Sequence, residues 1–402
     1  MKQQTGMPAK WLFAGSFLAN TGTSFIWPLT TIYLHDTLGK TLITAGFVLL
    51  CNSLCVVLGN TIGGFLYDRW SHFYTILLGS IIVTCASTFL MFNNGWPAFP
   101  LGLVMLGFGN GLNLTCINSF ATVVKNKRTS YIFNILYFMS NLGMVIGTLM
   151  VGYILPFGIS KVFAVSTVLF IIFAIIIILF YRNHESQHNT NRSESLPKPD
   201  KLTPNKLWPL LALLFNIVVL WIFYEQWQSN IATFMVENNL SIKHYSSVWT
   251  LNGVMIVLIQ PIMTYFDEWL MSHLHLRLYG GLALIGSSFL ILIVAGNHYF
   301  LFLTAMAILT LGEILVNPAA STFVNDISPE GQKGRFQGSL ASATSFGRAL
   351  GPIVGAVIIH YISYTTLFIL AAICIWLAVF GFELVNKHYL QLSTCKKTRS
   401  RL

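Results

Sequence analysis

Long apolar runs separated by short polar turns make up most of this 402-residue chain. Twelve of the runs reach the roughly 20 residues that a helix needs to cross the hydrocarbon core of a bilayer. They lack the alternation, in segments of about ten residues, that marks the strands of a membrane barrel. The pattern therefore predicts an all-α polytopic membrane protein with twelve transmembrane helices. Their predicted bounds are 11–34, 42–67, 73–92, 98–124, 131–155, 162–181, 208–235, 246–266, 275–295, 299–323, 338–359 and 365–385.

One polar stretch divides the twelve predicted spans into six and six. Residues 182–206 contain three prolines and no apolar run, which is the composition of a solvated linker. The sequence therefore predicts two six-helix bundles joined by a cytoplasmic segment. The predicted organisation is an N-terminal bundle over 1–181, a linker over 182–207, a C-terminal bundle over 208–386 and a basic cytoplasmic tail over 387–402.

Composition and charge support a membrane protein and fix its expected orientation. Hydrophobic residues make up 55% of the chain and charged residues 9%, against about a quarter in soluble domains. Of the 23 Lys and Arg residues, 19 lie on one side of the predicted spans, 3 on the other and 1 inside a span. By the positive-inside rule, both termini and the linker are cytoplasmic in a bacterial plasma membrane. The net charge of +10 reports this topology rather than a nucleic-acid partner.

The loop after the second predicted span carries a recognisable motif. Gly64 is followed at four and five positions by Asp68 and Arg69, and an aromatic–acidic pair, Phe266 and Asp267, recurs after the eighth span. With the span count and the linker position, this motif resembles the major facilitator superfamily along essentially the whole chain. The resemblance implies that the loop acid locks the cytoplasmic side closed. A carboxylate at the start of another helix would gain from unpaired N–H groups there, and Gly64 would allow close helix approach.

The tenth predicted span resembles a narrower group. Residues 309–329 pair Gly312 with Glu313 and continue to Pro318, as in span 10 of twelve-span bacterial proton-driven multidrug antiporters. That group often has an arginine in span 4 and a glycine–proline ladder in span 5. Here span 4 has no basic residue, and the ladder stands in span 11 over 347–355.

Three ionisable residues lie well inside predicted spans: Glu225, Glu313 and Arg348. Because an arginine at a span centre costs about 2.5–3.5 kcal/mol on insertion scales, such residues are functional candidates. Glu313 and Arg348 stand about 17 residues before and after the turn at Glu330 and Gly331, which puts them at similar depth. We expect them to interact. Glu313 is interpreted as a proton-coupling carboxylate or as half of a static pair.

Polar and aromatic residues at helical spacing predict a substrate cavity. Around Glu225 the polar density is too high for a lipid-facing surface, although an interfacial aromatic belt has the same composition. Asparagines in the first half would contact substrate or would hydrogen-bond neighbouring helices. The candidate cavity residues are Asn20, Trp27, Asn110, Asn113, Tyr137, Asn141, Trp221, Gln228, Thr310 and Asn317.

These features favour a secondary active transporter that works by alternating access, with proton-coupled efflux of amphipathic or cationic drugs as the leading hypothesis. Two alternatives remain: a proton-linked transporter of a specific sugar, peptide or organic acid, and a lipid or glycolipid flippase. An enzyme is not expected, because the sequence contains no nucleophile–base set, phosphate loop or metal-ligand spacing. We expect a monomer that engages a small-molecule substrate, protons and membrane lipid, without nucleic acid, cofactor or metal.

Overall fold

A computed structural model describes residues 9–24, 30, 33–124, 127–181 and 202–399. These residues are largely helical and contain no β-strand. Short π-helical segments occur at Tyr33–Thr37 and Ile177–Tyr181, and a 3₁₀ turn occurs at Leu155–Phe157. The α-helices are α1 Ala9–Ser24, α2 Leu42–Arg69, α3 His72–Phe92, α4 Ala98–Ala121, α5 Thr129–Ile154, α6 Ile159–Ile176, α7 Pro204–Tyr224, α8 Gln226–Ser229, α9 Ile231–Glu237, α10 Ile242–Tyr265, α11 Asp267–Ser272, α12 Leu274–Ile293, α13 Tyr299–Ile327, α14 Lys333–Tyr361 and α15 Tyr364–Arg399.

The prediction of an all-α, multi-pass membrane protein is confirmed. Among the described residues, 11 helical segments are long and apolar enough to cross a membrane, and they coincide with the second to twelfth predicted spans. The first predicted span, 11–34, corresponds to α1, whose continuation at 25–29 and 31–32 lies outside the described residues. The count of twelve therefore stays a prediction. The seventh predicted span differs in form, because it is built from α7, α8 and α9 in succession.

The chain separates into two compact units. The first contains the described residues up to Tyr181 together with Glu330–Ser345, and the second contains 202–329 and the residues from Phe346 onward. Helix α14 is therefore shared, since its first turns belong to the first unit. The predicted linker lies outside the described residues up to 201, and α15 continues past the predicted end of the C-terminal bundle at 386.

Close backbone contacts at small residues organise the first unit. A Cβ atom on Gly63 of α2 would lie 3.1 Å from the Cα of Leu112 on α4, and one on Gly143 of α5 would lie 2.6 Å from the carbonyl oxygen of Phe17 on α1. Helices in lipid associate through such close contacts because lipid tails are as apolar as the side chains, so the hydrophobic effect does not drive the helices together. Buried aromatic and aliphatic side chains, Phe120 among them, fill the space between these helices.

In the second unit, α12 supports α13 along its length. Gly281 and Gly312 face each other, and a Cβ on Gly281 would lie 2.9 Å from the carbonyl oxygen of Gly312. One turn away, the buried Arg277 donates through Nε to the carbonyl oxygen of Leu315 at 3.0 Å. Pro318 lies within α13 three residues further on, and because proline has no N–H the carbonyl oxygen of Ile314 loses its usual helical partner. Arg277 therefore ties α12 to the α13 backbone in the turn that precedes this proline.

We expect Gly281→Val to lower the stability of the protein and Gly280→Val to leave it nearly unchanged. A Cβ at Gly281 meets the α13 backbone, whereas one at Gly280 meets no atom within 4 Å. Overpacking of this kind costs roughly 1–3 kcal/mol. Thermal unfolding of the two purified variants in detergent, followed by size-exclusion chromatography, measures the difference. Equal unfolding temperatures for both variants would contradict the packing described for α12 and α13.

Candidate functional site

Two of the charged residues predicted inside the membrane form an ion pair in the second unit. Glu225 follows the last residue of α7 and is 3% exposed. Its Oε2 lies 3.3 Å from the Nε of Arg348 on α14. The Arg348 guanidinium also lies 5.3 Å from the centre of the Trp221 ring, which permits a cation–π interaction. This pair partly compensates two charges that would each be costly alone.

Glu313 is held by neutral donors from two other helices. The hydroxyl of Tyr224 donates to Oε2 of Glu313 at 2.9 Å, and Nδ2 of Asn252 on α10 donates to the same oxygen at 3.2 Å. Asn252 also donates to the hydroxyl of Thr310 at 2.9 Å. Glu313 is 7% exposed, so these hydrogen bonds replace much of its hydration. Tyr224, Asn252, Thr310 and Glu313 thus form one buried polar cluster.

The expected interaction of Glu313 with Arg348 stays a prediction, and the structure adds a further partner for each residue. Equal depth along two helices was the basis of that prediction, and depth leaves the rotation of each helix about its axis undefined. The ion pair of Arg348 is with Glu225, while Tyr224, the neighbour of Glu225 in sequence, bonds to Glu313. The two acidic residues are therefore linked through consecutive positions of one chain segment.

The glycine ladder of α14 explains why Arg348 faces α7. A Cβ on Gly347 would lie 2.7 Å from the carbonyl oxygen of Val218, and one on Gly351 would lie 2.6 Å from the Cβ of Glu225. Gln226 strengthens the contact by donating through Nε2 to the carbonyl oxygen of Gly351 at 2.8 Å. Because the helix backbones meet there, Arg348 is placed next to Glu225.

Other predicted cavity residues of the second half are distributed differently. Trp221 and Thr310 belong to the buried polar region just described. Gln228 is exposed in α8, where its backbone N–H donates to the carbonyl oxygen of Glu225 at 3.0 Å and its backbone oxygen accepts from the hydroxyl of Tyr245 at 3.4 Å. Asn317 is half-buried on α13, and its side chain forms no hydrogen bond with the described residues of the cluster. Helical spacing alone thus included two residues that stand apart.

In the first unit, predicted cavity asparagines join helices to one another. Nδ2 of Asn20 on α1 donates to the Ser140 hydroxyl of α5 at 3.2 Å. The hydroxyl of Thr23 on α1 donates to Oδ1 of Asn110 on α4 at 3.1 Å. These contacts fit the alternative in which asparagines hydrogen-bond neighbouring helices.

Asn113 and Asn141, two other predicted cavity residues of the first half, show no such hydrogen bonds between helices among the described residues. Asn141 donates to the carbonyl oxygen of Tyr137 in its own helix at 2.8 Å, and the Tyr137 side chain is half-buried. Asn113 is 2% exposed, and its amide atoms have no hydrogen-bond partner among the described residues. Trp27 lies outside the described residues.

The acid of the loop motif caps a helix. Asp68, near the end of α2, accepts hydrogen bonds from the backbone N–H groups of Gly334 at 2.9 Å and of Arg335 at 2.6 Å. These residues begin α14, where N–H groups have no partner within the helix and the dipole favours an anion. Gly64 permits the approach, since a Cβ there would lie 2.6 Å from the carbonyl oxygen of Gly334. Arg69 is exposed and lies over the ring of Phe65.

Short polar side chains continue this contact along α2 and the first turns of α14. The hydroxyls of Thr61 and Ser342 are 3.1 Å apart, and Nδ2 of Asn60 donates to the Ser345 hydroxyl at 3.1 Å. All of these residues belong to the first unit. The contact between α2 and the first turns of α14 thus combines a charged cap with hydrogen bonds from neutral hydroxyl and amide groups.

Sequence reasoning missed Tyr224 and Asn252, which contact Glu313 directly. Asn252 is an amide side chain within a predicted span, and that feature was the available signal. Within the described residues, no three His, Cys, Asp or Glu side chains lie close enough to hold a metal ion together.

Comparisons with known proteins give the family. The model of the Major Facilitator Superfamily matches residues 12–339 and 277–390. An uncharacterized MFS-type transporter of Bacillus subtilis, YttB, is 36% identical over 353 residues, which are 88% of each chain. A Na(+), Li(+), K(+)/H(+) antiporter of Planococcus maritimus is 21% identical, over 84% of this chain and 86% of its own. A bacterial homologue of the iron transporter ferroportin, solved in an outward-facing state, superposes with a TM-score of 0.75 at 14% identity over 94% of this chain and 99% of its own. The chain therefore belongs to the major facilitator superfamily of membrane transporters.

Proposed function

We propose that this protein exports amphipathic organic cations from a bacterial cell in exchange for protons, by alternating access across the plasma membrane. The observation that carries the proposal is the carboxylate of Glu313, buried in the second unit and hydrogen-bonded to Tyr224 and Asn252. Both termini are cytoplasmic in this proposal, because Lys and Arg residues concentrate on that side.

Glu313 is the proposed proton carrier. Its carboxylate is buried and accepts hydrogen bonds from two neutral side chains, Tyr224 and Asn252. An ionisable group in the interior of a membrane-spanning bundle is a candidate for proton transfer by its position. In the proposed cycle, protonation from outside discharges the substrate, and proton release inside restores the binding state.

The surroundings of Glu313 suit an organic cation. The rings of Trp221 and Tyr224 lie 4.7 Å apart, and Trp249 lies 6.5 Å beyond Tyr224. Aromatic faces beside carboxylates attract alkylammonium and other soft cations through the ring quadrupole. Arg348 pairs with Glu225, and in this proposal Glu313 is the acid that takes up the proton when the cation leaves.

The cap made by Asp68 is the proposed cytoplasmic gate. Its hydrogen bonds to Gly334 and Arg335 hold the first turn of α14 against α2. Alternating access requires this contact to form and break once in each cycle. A helix cap worth about 1 kcal/mol is strong enough to bias two states and weak enough to release.

Exchange of monovalent metal ions for protons is a second candidate. The Planococcus maritimus relative carries the name of a Na(+), Li(+), K(+)/H(+) antiporter. Here the Glu313 carboxylate and the Thr310 hydroxyl both bond to the Asn252 amide, and carboxylate, hydroxyl and amide oxygens are the ligand types of hard cations. Proton flux driven by NaCl, LiCl or KCl gradients in proteoliposomes, followed with an enclosed pH-sensitive dye, tests this candidate.

We expect Glu313→Gln to abolish proton-driven ethidium transport, because glutamine keeps the shape of the side chain without its titration. Inside-out proteoliposomes under an imposed proton gradient would report dye uptake by ethidium fluorescence. The matched control is Glu383→Gln, since Glu383 is a half-buried acid on α15 that pairs with Lys387 at 2.7 Å outside the cluster. Normal transport by the Glu313 variant would refute its role as proton carrier.

We expect Asp68→Asn to slow ethidium transport by up to about five-fold, because an anion at a helix N-terminus contributes about 0.3–1 kcal/mol and 1 kcal/mol corresponds to roughly that factor. The same initial-rate assay measures the change. Glu330→Gln is the control, because Glu330 is exposed and forms a surface pair with Lys333 at the same end of α14. If both variants transport at the wild-type rate, Asp68 is not a gate.

A further inference from the structure

We infer that Tyr224 is a positioning residue that links the ion pair of Glu225 and Arg348 to the protonation of Glu313. The inference rests on the proposed function and concerns how its two charged groups communicate. It assigns to the Tyr224 hydroxyl a role that neither the comparisons nor the charged residues themselves define.

The link is a single peptide bond. Tyr224 ends α7 and its hydroxyl reaches Glu313 on α13 at 2.9 Å, while Glu225 follows immediately and its carboxylate lies 3.3 Å from Arg348 on α14. Both side chains are buried, at 4% and 3% exposure. Because the residues are consecutive and point to different helices, a shift of one contact displaces the other.

The helical segment that carries Tyr224 and Glu225 is interrupted on the C-terminal side of Tyr224. Helix α7 ends at Tyr224, α8 covers only Gln226–Ser229, and α9 begins at Ile231. Ends of short helices absorb backbone rotation more readily than the middle of a long helix does. Gln226 also donates to the carbonyl oxygens of Ile222 and Gly351, so the segment follows the movement of α14.

Protonation of Glu313 is the event that this segment transmits. A phenol donating to an ionised carboxylate forms a stronger hydrogen bond than one donating to the neutral acid. When Glu313 takes a proton, Tyr224 is held less firmly, and the Glu225–Arg348 arrangement beside Trp221 loses its support. By reciprocity, a cation that stabilises this arrangement favours the ionised form of Glu313 and displaces its proton.

The test is the pH dependence of ethidium binding to the purified full-length protein in detergent. Couplings between sites usually change affinity by 5–150-fold, and we expect wild-type affinity to fall about ten-fold between pH 8 and pH 6. For Tyr224→Phe, which removes only the hydroxyl, we expect a change of less than about three-fold. A purely structural role of Tyr224 would instead shift affinity equally at every pH.

A matched control separates coupling from general effects. Tyr279→Phe removes a half-buried hydroxyl that accepts a hydrogen bond from Asn386 at 3.0 Å, and it should behave as wild type. The inference is overturned if Tyr224→Phe retains the ten-fold pH dependence. Wild-type affinity that does not change with pH would instead refute proton coupling itself, without reference to any variant.

Discussion

The cost of burying charge in a low-dielectric environment determines how the second unit is built. Glu225, Glu313 and Arg348 are acceptable inside a membrane-spanning unit because each has a charged or hydrogen-bonding partner. Removing one partner from a buried ion pair typically destabilises a protein by about 3–5 kcal/mol. The helices α7, α10, α13 and α14 are thereby required to meet at these residues, and their meeting point is the candidate site.

Close backbone approach is what makes such partners available. Gly347 and Gly351 bring α14 so near to α7 that Arg348 meets Glu225 directly, and Gly281 and Gly312 fix α13 on α12. In lipid these contacts gain little from hydrophobic burial, so their stability depends on packing and on hydrogen bonds between helices. Small residues and polar residues therefore act together, because the small residues determine the distances between helices at which the polar residues interact.

The sequence predicted the features that depend on local composition. Hydropathy located the spans, and the motif at Gly64 and Asp68 led to a carboxylate at the start of a helix, which is where the structure places it. Rotation of a helix about its axis depends on which neighbours it packs against, and a single chain does not encode that in a periodic pattern. The sequence therefore did not predict that Arg348 pairs with Glu225, and it did not predict Tyr224 and Asn252 because neither carries a charge.

Helix α14 takes part in both the proposed cytoplasmic gate and the ion pair of the candidate site. Its first N–H groups are capped by Asp68, and Arg348 lies 14 positions beyond Gly334, or about 21 Å along a helix. A continuous hydrogen-bonded helix transmits displacement over such a distance better than a chain of side-chain contacts, because it shortens or bends little. Pro352 is the point of weakness, and it follows Arg348 by one turn, so the stretch from the cap to the ion pair remains intact. The proposed gate and the ion pair therefore share one helix, since Asp68 caps the helix that also carries Arg348.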